Sequence, residues 1–254
     1  MRRLVALLPV AAALAAHGAS GASALLVPEP ASFAAIRARI HAEGGAVVGS
    51  HEIESVRRAD GTLYVRSEAW LGGRSVNLRE AVLERAPAGG GRYRPVWQHE
   101  RMATGVEGED VELEIDHAAS SLACRRGEGT VRSLALPEGE TIGNVVATLA
   151  LQPLAAGAVE RLRFQLAVCR TAPRLVDVEA RVERRGDGAV EIGWRYQLGW
   201  MLAPLAWLLP EVRVWLGARP PHDWLGSRVP LHLDGPQVTV VREHAAGADR
   251  LVPR

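Results

Sequence analysis

The feature that most constrains this chain is a two-residue alternation of apolar and polar side chains, punctuated by glycine turns. In Ile36-Arg37-Ala38-Arg39-Ile40-His41 that period puts Ile36, Ala38 and Ile40 on one face of a strand. Gly44-Gly45 reads as a turn into a partner strand over 46–56, and Asp60-Gly61 is a tight-hairpin signal. Beyond it Leu63, Val65, Ser67 and Ala69 face one way, while Tyr64, Arg66, Glu68 and Trp70 face the other. Gly72-Gly73 turns the chain into a strand with Val76, Leu78, Glu80 and Val82 at alternate positions. A Gly89-Gly90-Gly91 loop precedes a strand over 93–102. Val111, Leu113 and Ile115 start another, with its turn at 116–121. Successive hairpins of this kind build an antiparallel meander with one buried face and one wet face.

The period changes after Glu140. Ile142, Val145, Val146 and Leu149 recur at helical spacing, with Thr141 as a cap and Pro153 as a stop, which predicts one short helix over 141–151. Strand character returns over 162–169 and 175–184, and Gly186-Asp187-Gly188 turns into a strand over 190–196. No repeat, low-complexity linker or charge run divides the chain. The expectation is a mainly β protein, with residues 25–254 as a single β-rich domain ending in a short disordered tail.

Residues 1–24 stand apart. Arg2 and Arg3 precede an almost purely Leu, Val and Ala run from Leu4 to Ala16, and Ala22-Ser23-Ala24 ends the small-residue stretch that follows. A basic start, a short apolar core and a small-x-small end make a secretory signal peptide. About 13 apolar residues are too few for a membrane span. The chain is therefore expected to be exported and cleaved, to the periplasm or beyond. All 30 basic residues are arginine, against 29 acidic ones. Removal of Arg2 and Arg3 leaves 28 against 29, a nearly neutral chain without the basic surplus that nucleic-acid binding needs.

Cys124 and Cys169 are the only cysteines. In an oxidising compartment they would pair. The alternative is two separate small buried side chains, and the spacing fits neither a metal knuckle nor a redox Cys-x-x-Cys.

Sequence signatures of catalysis are missing: there is no nucleophile elbow, no dinucleotide fingerprint and no lysine for a phosphate loop or Schiff base. His51-Glu52 and His99-Glu100 open like zinc-protease motifs, but Ser55 and Ala103 stand where the second histidine belongs. No catalytic residue, metal or cofactor is expected. The stretch Tyr196 to Pro210 is uncharged and interrupted by Pro204. It reads either as a crossover packed in the core or as a greasy lip over an apolar cavity, touching a membrane surface through Trp200 and Trp207. Five of the seven tryptophans lie between 194 and 224. They suit core packing or a lined pocket.

The order of features is also informative: Gly-Ala-Val-Val-Gly at 45–49, Gly91, Pro95 and Trp97 on a long hairpin, and a helix leading to Leu-Ala-Ala-Gly at 154–157. A final hairpin runs through 215–228 and from Asp234-Gly235-Pro236 to Arg242. This order resembles uncharacterised bacterial periplasmic proteins of a domain-of-unknown-function family. Their fold is similar to the lipoprotein-carrier half-barrel, a curved antiparallel sheet wrapped around a helix. The resemblance implies a concave apolar face for a lipid, a lipoprotein or another hydrophobic ligand, with Trp97, Trp194, Trp200 and Trp207 as candidate binding residues. It brings no catalytic residues. The rival expectations are an envelope interaction protein without a cavity, and a hydrolase with dispersed catalytic residues.

Overall fold

The computed structural model describes residues 25–30, 33–87, 90–103, 106, 109–136, 143–169, 172–197, 211–231 and 235–252. The alternating segments form β1 (Ile36–His41), β2 (Val47–Arg57), β3 (Leu63–Leu71), β4 (Arg74–Arg85), β5 (Tyr93–Met102), β6 (Val111–Asp116) and β7 (Ser121–Arg126). The short β8 (Arg132–Ala135), exposed along its whole length, has no apolar alternation to announce it. After a partly helical crossover come β9 (Arg161–Cys169), β10 (Pro173–Arg185), β11 (Ala189–Tyr196), β12 (Arg213–Gly217), β13 (Trp224–Pro230) and β14 (Gln237–Arg242). The expected final hairpin is thus three strands.

All fourteen strands belong to one antiparallel sheet, ordered β8 to β1 and then β14 back to β9. Turn chemistry supports the hairpins locally. At Asp60-Gly61, Gly61 has φ 83°, and Thr62 donates its backbone N–H (2.9 Å) and hydroxyl (2.7 Å) to the Asp60 carboxylate. Gly72 and Gly73 both have positive φ, as a tight two-residue hairpin requires.

One face of the sheet is the core. Ala38, Ile40, Leu63, Val65, Ala180, Ile192, Val214 and Val240 are buried there, together with Leu25 and Val27 from the segment that precedes β1. On β4 the inward residues are Ala81 and Leu83, not the more apolar set Val76, Leu78 and Val82. A bulge decides this. Trp70 pairs with Ser75 but Ala69 pairs with Asn77, so Val76 is an extra residue and every later β4 side chain changes face.

The predicted helix sits later than expected. Residues 144–148 form turns, Leu149–Leu151 a 3₁₀ turn, and the α-helix is α1 (Gln152–Ala155). Pro153 stands at its start, where a missing N–H costs nothing, so the residue read as a stop opens the helix instead. Thr141 lies outside the described residues. Val146, Ala147, Leu151 and Leu154 from this crossover fill the interior of the curved sheet.

The curvature is strong. At about 4.8 Å per strand, β7 and β9 would stand roughly 60 Å apart in a flat sheet of this order, yet the Cα atoms of Cys124 on β7 and Cys169 on β9 are 5.8 Å apart and their sulfurs are bonded. The two edges meet by overlap. Leu162 and Phe164 point into the main core, so Ala167 and Cys169 occupy the other face of β9. That other face packs against Leu113, Ile115, Leu122 and Cys124, the inward residues of β6 and β7. The free edge of β9 is covered by the crossover. Gly143 N–H donates to Gln165 O at 2.9 Å, and the Asn144 amide both donates to and accepts from the Ala167 backbone at 2.7 Å.

Candidate functional site

Antiparallel connections alternate between the two rims of the barrel-like sheet. The β1–β2, β5–β6, β11–β12 and β13–β14 connections leave one rim, and the β2–β3, β4–β5 and β12–β13 connections leave the other. The second rim lies on the side of Tyr93, which exchanges backbone hydrogen bonds of 2.8 Å with Val27. The first rim carries the two ends of the apolar stretch expected over 196–210, at Gln197 and Glu211. Trp200 and Trp207 themselves lie outside the described residues.

Trp194 and Trp97, the other two candidates, are not brought together. Trp194, on β11, points inward beside Ala180, packs edge-on against Phe164 at 5.2 Å between ring centres, and keeps its buried indole N–H without a partner. Trp97, on β5, points outward, because its neighbour Gln98 is the buried residue of that pair. It stacks on His99 at 5.8 Å and donates to Glu114 at 2.9 Å. Around it the outer face forms a charged ladder across β3 to β7: the Tyr64 hydroxyl donates to Glu80, His99 lies 3.4 Å from both Glu80 and Glu112, and Arg125 pairs with Glu112. The Glu80 carboxylate and partial burial push the Tyr64 phenol up to about 12, burial being the larger cause.

The inner face of β2 to β5 interrupts the apolar core with a strip of polar side chains. His51 Nε2 and Ser67 Oγ are 2.7 Å apart. Ser67 pairs with Arg79, and Arg79 pairs with Glu100 in register and donates to its carboxylate at 2.6 Å. The other Glu100 oxygen receives Asn144 Nδ2 at 3.2 Å. Gln98, buried next along β5, accepts the Val145 N–H at 3.0 Å and lies 3.0 Å from His117 Nε2. Desolvation, aided by the positive charge of Arg79, lowers His51 to about 4, so its imidazole is neutral at physiological pH. Burial likewise lowers His117. The His51 ring meets that of Trp224 edge-on at 6.0 Å. His51 Nδ1, Asn77 Oδ1 and Trp224 Nε1 are buried without a hydrogen-bond partner.

The sequence alone does not mark this strip: His51 reads there only as part of an incomplete zinc-ligand motif, and Ser67 as one position on an apolar face. A polar residue inside an otherwise apolar alternation was the available signal for His51 and Ser67. For Asn77 and Arg79 no local signal existed, because the bulge puts them inside.

Comparison with known proteins adds a structural likeness. No family model and no curated protein matches this chain. Among solved structures it is similar to a beta-barrel-like protein of the domain of unknown function DUF1849 from Brucella abortus, with 9% identity, a TM-score of 0.46, and coverage of 82% of this chain and 94% of that one.

Proposed function

We propose that this is an exported, non-enzymatic protein of the cell envelope that binds a hydrophobic ligand, a lipid or the acyl chain of a lipoprotein, at the first rim of the barrel. The observation that carries the reading is the apolar lining beside that rim. Trp194, Tyr196, Val229 and Leu231 pack against the core yet are only partly buried, near the first-rim ends of β11 and β13. The second rim is occupied by Val27, paired with Tyr93, and by α1, whose Leu154 and Ala155 carbonyls accept from Arg185, so a ligand would enter from the first rim. The disulfide suits an oxidising compartment. Binding is favoured over hydrolysis because the His51–Ser67 pair lacks an acidic partner on His51 Nδ1, the group that would orient a catalytic base.

Native mass spectrometry of protein isolated from its own envelope fraction tests this. Co-purifying lipid is the expected outcome, with a mature N-terminus near Ser23 to Leu25. A stoichiometric protein partner without lipid would replace the reading by an interaction role, and intact Met1 in a cytoplasmic pool would remove export.

A further inference from the structure

The inner polar strip bears on the kind of head group that a hydrophobic ligand would carry. We propose that His51, Ser67, Asn77 and Trp224 form a binding site for the uncharged, hydroxyl- or amide-bearing head of a single-chain amphiphile. The proposal rests on the hydrophobic-ligand reading and adds the chemistry of the ligand's polar end.

Three buried polar atoms without partners on one inner surface are the first argument. Trp224 is 7% exposed and its indole N–H is a donor only. Asn77 Oδ1 is an acceptor. The neutral His51 ring is engaged with Ser67 through Nε2, so Nδ1 is a second donor whenever Nε2 accepts the serine hydroxyl. A buried polar group without a partner is unfavourable, and a fold tolerates it mostly where something else satisfies it.

Spacing is the second argument. His51 pairs with Ala38 on one side and Ala69 on the other, and Ala69 pairs with Asn77. His51 and Asn77 therefore stand two strands apart, about 10 Å, with only a methyl group between them.

Charge selects the ligand class. Both cations beside the site already have acidic partners: Arg79 pairs with Glu100 at 2.6 Å, and Arg242, which pairs in register with Ala38 and donates to the Trp224 carbonyl at 3.4 Å, pairs with Asp223 at 3.3 Å. A carboxylate or phosphate head would have to compete with Glu100 or Asp223 for them. A head bearing hydroxyls or a primary amide both donates and accepts, so its groups can serve the Asn77 oxygen as donors and the indole N–H as acceptors, with no charge to desolvate.

The test uses the full mature chain with its disulfide intact and two probes sharing one acyl chain, 1-monooleoylglycerol and oleate, followed by calorimetry. The neutral probe is expected to bind about tenfold or more tighter than oleate, the equivalent of one well-made hydrogen bond. Trp224→Phe, which keeps the ring but removes the N–H, and Asn77→Ala should each erase most of that advantage while leaving oleate affinity unchanged. Trp97→Phe on the outer face should alter neither. Should Trp224→Phe fail to fold, Asn77→Ala carries the same comparison. Equal binding of both probes, or a preference unchanged in the variants, overturns the head-group site while the hydrophobic-ligand reading survives. Failure of both probes to bind overturns both.

Discussion

The two halves of the sheet are joined twice, and by different physics. At one joint β1 and β14 share an ordinary antiparallel ladder from Ala38–Arg242 to His41–Thr239. At the other, β6 and β7 lie over β9 without any strand pairing, held by the Cys124–Cys169 bond, the Asn144 amide and a small apolar cluster. A ladder gains stability from many cooperative main-chain bonds, whereas the overlap rests on a few named side chains. The overlap should therefore be the joint that single substitutions can open.

The largest expected effect tests that directly. Cys124→Ala with Cys169→Ala releases a closure spanning 45 positions, and chain-entropy arithmetic puts the loss at about 4 kcal/mol. Denaturant unfolding measures it, and hydrogen exchange should rise first in β7 and β9. Equal loss of protection along β1 and β14 would mean that the two joints are one cooperative unit.

A change of pH should strain the ladder side instead, because His51 is paired with Ala38 of β1. Its pKa falls from 6.5 to about 4 on folding, desolvation being the main cause. The unfolded chain takes up a proton that the folded chain refuses, so the stability present above pH 6.5 is lost as pH drops toward 4. Two to three pKa units set an upper bound of about 3 kcal/mol. Burial of His117 acts in the same direction. Thermal melts from pH 7.5 to 4.5 should fall more steeply for the native chain than for His51→Gln.

Asn144→Ala removes both hydrogen bonds to Ala167 and uncovers the β9 edge, for an expected loss of roughly 1–3 kcal/mol. That loss should shrink in the cysteine-free variant if the two devices hold the same overlap, which a double-mutant cycle reads. Arg125→Ala on the outer ladder breaks the exposed pair with Glu112 and should cost under about 1 kcal/mol, diminishing with salt.

Much of the architecture was legible in local pattern. Period-two alternation located β1 to β6 and β9 to β11 within a few residues, and glycine pairs marked their turns, because both signals are written in neighbouring side chains. Pro153 misled because proline both ends helices and opens them, and only the burial of Leu151 and Leu154 against the sheet chose between the two. The candidate site was mostly hidden. Trp97 and Trp194 look alike in sequence, yet one faces the charged outer ladder and the other the core.

By itself, then, the sequence determined that this chain makes antiparallel hairpins with one apolar face, and that it has two cysteines to pair or leave apart. Only the tertiary structure decided that the sheet closes by overlap and that the cysteines fasten it. It also decided that a single bulged residue, Val76, turns Asn77 and Arg79 inward to join His51 and Ser67. The reason is range. Alternation and turns act over a few residues, but closure sets β7 against β9, and register assigns faces only once the partner strand is in place.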